Sequence, residues 1–396
     1  MKIITRTVWI LSLVSLFTDM ASEMLYPVMP LFLQQIGYSA LFIGILEGFA
    51  EAIAGLTKSY FGKQSDRLGK RLPFVQLGYG LSTISKPMLA IFIYPWWIFL
   101  SRTIDRLGKG LRTGARDAML SDESVPATRG RIFGFHRSMD TMGAVLGPGI
   151  ALAWLYFYPG NYRELFLLAF VPGLFAIGAS FMIREKQMTA AKQIPSPRFF
   201  AFASYWKKSP DAYKKLVRGL LVFALINSSD VFLLLKLKQN AVPDAQIIAM
   251  YIFYNLCYAI LAYPIGILAD RLGIRKVFLF GLSLFVIVYA GFAFAGNMIA
   301  YLALFALYGC YAAATEGVSK AWISKVVPAR EIASAIGSYS GFQSICALLA
   351  SSLCGFTWVA FGAVFSFCFS ALICLAVIIY FYLQKTDTAE ILPDNN

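Results

Sequence analysis

Residues 102 to 117, RTIDRLGKGLRTGARD, set five basic and two acidic side chains into sixteen positions. From Arg102 through Arg106, Lys109 and Arg112 to Arg116 the steps are four, three, three and four residues. Such steps hold all five basic groups on one face of a helix. Guanidinium groups stay charged and grip carboxylate or phosphate with two parallel hydrogen bonds, so this face suits an anion. Carboxylates recur at helical spacing in the same half of the chain, Asp19 with Glu23 and Glu47 with Glu51, followed by Asp140. Lys58, Lys86 and Arg137 add positive charge, and the only histidine, His136, precedes Arg137. Acidic groups beside an anion site can carry protons, and Asp19 or Glu23 are the first candidates, with Glu47, Glu51 and His136 after them. The second half holds fewer charges, chiefly Asp230, Lys236 and Lys238, then Glu316 and Lys320. There Tyr251, Tyr254 and Tyr258 recur at helical spacing with Asn255. Such a tyrosine face, with Lys236, suits the amphipathic part of an organic anion, although plain packing accounts for it as well.

The elements that must position these groups are membrane helices. Hydrophobic residues make up 59% of the 396 positions and charged residues 14%, and the mean hydropathy is +0.66. A soluble globular chain of this length is far less apolar. Twelve apolar runs are long enough to cross a hydrocarbon core: 7–34, 39–61, 72–94, 96–120, 130–157, 163–183, 216–239, 245–269, 276–295, 298–322, 331–356 and 358–383. Helices are expected, because the backbone must satisfy its own hydrogen bonds in lipid and ten-residue alternating segments are absent. The first run follows Lys2 and Arg6 with no small-residue cleavage site, so a removed signal peptide is not expected.

Charge in the loops sets the orientation. Lys63, Arg67, Lys70 and Arg71 lie between the second and third runs, and nine basic residues lie between Arg184 and Arg218. The loops at 34–38, 94–96 and 296–297 carry none. The positive-inside rule then places both termini in the cytoplasm of a multi-pass protein of a bacterial inner membrane. This bias and the buried cluster account for the formal charge of +14, so no nucleic-acid partner is expected. Lys207, Lys208, Lys214 and Lys215 form a basic linker face suited to anionic lipid. The six cysteines fall inside apolar runs without a CxxC pair, which favours packing over metal or disulfide chemistry. No cofactor is called for.

Two loops repeat one pattern. GKQSDRLGKR spans 62–71 and GILADRLGIRK spans 266–276, so Gly62, Asp66, Arg67 and Gly69 match Gly266, Asp270, Arg271 and Gly273 at an offset of 204. A weaker echo links VPATRGRIFG at 125–134 with VPAREIASAIG at 327–337. The chain reads as a duplicated six-helix unit, with domains at 1–183 and 216–384, a cytoplasmic linker at 184–215 and a tail at 385–396. With these motifs the sequence resembles the major facilitator superfamily of secondary transporters, whose loop signature G-x-x-x-D-R-x-G-R/K-R/K stands here twice, the second time with Ile274 at the first basic position. Gly134, Gly143, Gly147 and Pro148 also resemble the glycine motif of the family's antiporters, though Ala151 and Leu152 stand where its closing glycines would fall.

The resemblance implies an all-α fold of twelve transmembrane helices in two pseudo-symmetric six-helix bundles, and alternating access by rocking. It also implies that helices one, four, seven and ten line the path. Gly62 and Gly69 are expected to permit tight turns, and Asp66 to pair with a basic helix end or cap a helix. Gly143 and Gly147 would let the fifth helix approach a partner from the other half, with Pro148 bending it. Arg67, Arg112, Arg116, Asp270 and Arg271 complete the expected gating set.

Charge so deep in a membrane must face protein or water, since seven lipid-exposed charges would cost on the order of 20 kcal/mol. Two readings stay open: ion pairs that staple helices together, or groups that bind substrate and protons. On the second, Arg102, Arg106 and Arg137 are substrate groups for a small organic anion such as a polycarboxylate, a carboxylate-type siderophore among them. Protons are the coupling partner, and the protein is expected to act as a monomer. The alternative transporter exchanges an amphipathic cation for protons, with Glu23, Glu47 and Glu51 as its binding groups. A membrane enzyme is disfavoured by the lack of a paired-histidine metal motif, nucleophile elbow or phosphate loop, and a sensor by the short tail.

Overall fold

The computed structural model describes residues 4–123, 129–183, 200, 202–328 and 331–384, without the side chains of 129–131, 134, 270 and 333. Among the described residues all regular structure is helical. In chain order the helices are α1 (Arg6–Leu25), α2 (Val28–Gln35), α3 (Ala40–Leu68), α4 (Leu72–Ile91), α5 (Pro95–Asp122), α6 (Arg129–Phe157) and α7 (Tyr162–Ser180). Then follow α8 (Phe202–Lys208), α9 (Asp211–Ala224), α10 (Val231–Gln239), α11 (Asp244–Leu272), α12 (Ile274–Phe294), α13 (Met298–Lys325) and α14 (Ile332–Leu383). They make up twelve membrane spans. The first is α1 with α2, divided at Tyr26 and Pro27, and the seventh is α9 with α10. Spans eleven and twelve are the two parts of α14. Long apolar side chains face outward, as lipid contact requires, including Ile299, Phe294 and Phe181. Tyr94 and Trp96 are exposed beside the start of α5, and Tyr156 to Tyr158 around the end of α6, the placement of aromatic residues at a membrane interface.

Several expected boundaries move for local reasons. The last two spans divide at Gly362 rather than near residue 357, because Gly362 takes φ +87°, a conformation that glycine adopts without steric cost. The Thr357 hydroxyl stays inside the helix on the Leu353 and Cys354 carbonyls, 2.9 and 3.0 Å away. The loop signature is less of a loop than its glycines suggest. α3 runs through Leu68, so Gly62 is helical, and only Gly69, with φ +64°, makes the turn. Its counterpart Gly273 has φ +96°, so the two copies turn at the same residue. The seventh run is not one helix, and α9 starts at Asp211, inside the expected linker. Residues 125–128 of the echo lie outside the described residues, as do the Asp270 side chain, 184–199 of the linker and the tail 385–396, and of Gly134 only the helical backbone is described.

The chain forms two compact units. The first comprises Met1–Tyr38, Phe49–Phe199 and Val242–Ala249, and the second Ser39–Gly48, Phe200–Ala241 and Met250–Asn396. In the first, α1 packs on α6 and α7, and α4 on α5 and α7. In the second, the start of α3 lies on α14 backbone to backbone: a Cβ at Gly48 would sit 2.9 Å from the Leu348 Cα, and one at Gly355 2.6 Å from the Ala40 carbonyl oxygen. The linker helix α8 docks on the start of α14, where Phe202 and Trp206 meet Phe342 edge-on and the Tyr205 hydroxyl donates to Glu331 at 3.1 Å. Burial and that bond push the Tyr205 phenol up to about 12, so it stays a neutral donor. Lys207, Lys208 and Lys215 remain exposed beside it.

Candidate functional site

Close helix crossings hold the charged helix of the first unit in place. A Cβ at Gly78 would lie 2.7 Å from the Gly108 carbonyl oxygen, and one at Gly108 would lie 2.9 Å from the Ser82 amide nitrogen, so α4 and α5 touch through backbone. On the other side, a Cβ at Gly114 would lie 2.8 Å from the Gly62 Cα and one at Gly110 3.1 Å from the Ala54 carbonyl oxygen. The run LGKGLRTG thus interleaves charges with glycines that seat α5 between α3 and α4. Gly62 is a packing residue here, not a turn.

These crossings bury Arg102, Asp105, Arg106 and Arg112 and leave Lys109 exposed, so the five basic groups share a helix but not one environment. Asp105 accepts from the Lys86 ammonium at 2.7 Å, and Lys86 also reaches the Ser22 hydroxyl at 3.2 Å, joining α1, α4 and α5. Arg112 is held by the Ser82 hydroxyl at 2.6 Å and lies 4.8 Å over the Tyr79 ring. Arg116 donates to Ser15 at 2.9 Å and to Asp117 at 3.0 Å, and Lys58 lies 3.4 Å from the same aspartate. Arg106 lies 3.6 Å from Glu51. Its side chain is 6% exposed whereas that of Glu51 is 46% exposed, so the pair opens to the surroundings on its acidic side.

A second group forms where α6 meets α1. His136 lies 3.4 Å from the Ser12 hydroxyl and 3.6 Å from Asp140, and Asp19 is within electrostatic range of Asp140, Arg112 and Arg116. Gly143 and Gly147 make that contact close, because a Cβ there would lie 3.0 Å from the Met20 amide and 2.8 Å from that of Met24. Their partner is therefore α1 of the same unit, not a helix of the other half, because their bare faces lie on the side of α6 that α1 covers. Pro148 follows them inside an unbroken α6. Arg137 does not join the cluster: one position from His136 turns it to an exposed face of α6. Glu23 is half-buried on α1, while the buried Glu47 sits in the part of α3 that belongs to the second unit.

At the loop signature Asp66 pairs with Arg71, 3.1 Å from Nε and 2.8 Å from Nη2, and Arg71 also binds Asp122 at the end of α5. Arg71 thereby ties α3, α4 and α5 at one end, while Arg67 and Arg271 are exposed. In the second unit Tyr251 and Tyr254 are buried with ring centroids 6.0 Å apart, and Tyr254 continues to Tyr308 at 5.0 Å and Tyr311 at 5.3 Å beyond it. Gly309 brings α13 onto α11, since a Cβ there would lie 2.9 Å from the Tyr254 carbonyl oxygen. The Tyr311 hydroxyl donates to Asn227 at 3.0 Å, and Tyr258 to Glu316 at 3.1 Å. Lys236 is buried on α10. Asn227, Tyr308 and Tyr311 were not among the expected site residues. The polar quartet NSSD inside an apolar run is the signal that marks Asn227.

Twelve spans, the doubled D-R-x-G turn and charged groups buried at membrane depth coincide with a match to the Major Facilitator Superfamily model over residues 11–241 and 219–395. The chain belongs to the Major Facilitator Superfamily. It is 32% identical over 361 residues to an uncharacterised MFS-type transporter of Methanocaldococcus jannaschii, covering 90% of this chain and 89% of that one. A shorter similarity, 30% over 143 residues and 35% of each chain, links it to the multidrug resistance protein MdtH of Edwardsiella ictaluri. Among solved structures it resembles the nucleoside transporter NupG, with a TM-score of 0.79 at 13% identity over 96% of this chain and 98% of that one. The human organic anion transporter MFSD10 gives 0.67 at 17% identity, covering 95% and 99%. Both structural likenesses are of fold. As a Major Facilitator protein the chain is a multi-pass membrane transporter and not an enzyme.

Proposed function

We propose that this transporter couples protons to the movement of a small organic anion, in the polycarboxylate class that includes carboxylate-type siderophores. The observation that carries the reading is the Arg106–Glu51 pair, a buried guanidinium whose carboxylate partner is open on one side. A substrate carboxylate and Glu51 compete for the same guanidinium. A proton on Glu51 releases Arg106 to the substrate, so proton and anion load together, and departure of the anion returns Arg106 to ionised Glu51. His136, Asp140 and Asp19 form a second set of proton-carrying groups within the same unit. The transporter works as a monomer in the cytoplasmic membrane, with both termini in the cytoplasm and the halves 1–183 and 216–384 alternating access.

Proteoliposomes with an imposed pH gradient test this with citrate-like anions. Arg106→Lys keeps the charge but loses the paired geometry, and a charge-assisted bond of about 1.5–3 kcal/mol corresponds to a roughly 10- to 100-fold weaker apparent affinity. Glu51→Gln is expected to bind anion at least as tightly as the parent and to lose the response to the gradient. A second reading, proton-driven export of amphipathic cations, draws on the partial similarity to MdtH and on the openness of Glu51. Cation transport abolished by Glu51→Gln, with no anion uptake in either protein, would favour it.

A further inference from the structure

On α9 the residues Asp211, Lys215, Arg218 and Val222 are exposed, and Leu225 continues the series at the end of the helix. Steps of four, three, four and three residues place all five on one face. The remaining faces carry the buried Tyr213, Leu216, Val217 and Leu220. The outward stripe changes character along its length. Val222 and Leu225 are apolar side chains 46% and 36% exposed within a span, so lipid must cover them. Arg218 and Lys215 stand about one and two turns nearer the start of the span, where the same stripe turns basic. The end of α14 fixes their level independently. The Tyr380 hydroxyl donates to the Lys215 carbonyl at 2.8 Å, and Gly219 makes room for that contact, since a Cβ there would lie 2.7 Å from the Tyr380 ring. Tyr382, two residues on, is 74% exposed. Exposed tyrosines at a span end sit at headgroup level, and Lys215 and Arg218 share that level. Neither cation has an ion-pair partner among the described residues, because Asp211 at the head of the stripe leans to Lys214, 3.6 Å away.

We propose that this stripe holds an anionic phospholipid, its phosphate between Lys215 and Arg218 and its acyl chains along Val222 and Leu225. Side chains three apart on a helix are neighbours, close enough for both to reach one phosphate. Guanidinium and ammonium groups at the headgroup level attract anionic lipid. A zwitterionic headgroup brings its own ammonium, which these two cations repel. A soluble phosphate would use the basic end alone and leave the apolar end without a role. Of the four lysines expected to face anionic lipid, Lys215 lies on the stripe and Lys214 is turned to Asp211. Lys207 and Lys208 belong to α8, whose Trp206 packs on Phe342 near the start of α14 and not at its end. The site lies within the second unit and is independent of the Arg106–Glu51 reading.

The test is native mass spectrometry of the purified full chain in detergent, titrated with phosphatidylglycerol and, separately, with phosphatidylcholine. The parent protein is expected to retain phosphatidylglycerol at a roughly 30-fold lower concentration than phosphatidylcholine, the effect of two basic groups near a headgroup. Lys215→Gln combined with Arg218→Gln should abolish that preference. Lys207→Gln combined with Lys208→Gln removes the same charge from α8 and should preserve it. Arg218→Gln alone, expected to cost about 5-fold, decides the matter should the double variant fail to fold. Equal retention of the two lipids by the parent, a preference that survives without Lys215 and Arg218, or one lost to the same extent without Lys207 and Lys208 would each overturn the proposal. Displacement of phosphatidylglycerol by inorganic phosphate would overturn it too, by assigning the stripe to a soluble anion.

Discussion

Asp105→Asn is expected to lower the stability of the transporter by about 3–5 kcal/mol, the usual cost of removing one partner from a buried ion pair. Lys86 and Asp105 are 2.7 Å apart, with side chains only 4% and 8% exposed, so the ammonium left behind has no water to turn to. The cost lies in the uncompensated charge and not in the lost attraction, because desolvation consumes most of the Coulombic gain when the pair forms. That distinction is measurable. Lys86→Met combined with Asp105→Asn removes both charges and should recover most of the unfolding midpoint in detergent, whereas additive losses would show that the two sites act separately. A single Asp105→Asn variant as stable as the parent would mean that the pair does not staple α4 to α5.

Gly108→Val is the second large effect. Its Cβ would meet the backbone of Gly78 and Ser82, and neither atom can swing away as a side chain would. Overpacking ordinarily costs about 1–3 kcal/mol, and a backbone clash belongs at the upper end. Separating α4 from α5 would also break the Ser82 bonds to the Asp105 carbonyl and to Arg112, 3.1 and 2.6 Å long. Folded yield and unfolding midpoint should both fall. Gly80→Val on α4 is the control, since nothing lies within 4 Å of a Cβ there. Equal losses in both variants would assign the effect to valine in a helix and not to the crossing.

Much of the architecture was legible in the sequence because the bilayer leaves few options. Apolar runs of spanning length must be helices, and a twelvefold count with a repeat offset of 204 leads to a duplicated unit. The turn glycines Gly69 and Gly273 were legible for the same kind of reason, since both hold a positive φ that the chain needs between antiparallel spans. Partnership was harder. Periodicity put Arg102, Arg106 and Arg112 on a helix but did not show that Lys86, Glu51 and Ser82 would be the groups they or Asp105 meet. Nor did it show that Gly143 and Gly147 face α1, or that Arg137 turns outward beside a buried His136.

The sequence by itself determined the class of protein, the number of spans and the presence of charges that lipid cannot hold, because transfer energies are additive along a helix. Only the tertiary structure decided which charges are matched and which helix yields. Glycines at 78, 108, 110 and 114 set the distance at which α3, α4 and α5 cross, and that close crossing is where Lys86 meets Asp105. Likewise the unwinding at Asn227–Asp230 depends on Ser351, more than a hundred residues away, which accepts the Ser229 amide that the helix gives up, while Tyr311 holds the Asn227 side chain. Helical periodicity is a local property, whereas these bonds exist only once distant spans have packed.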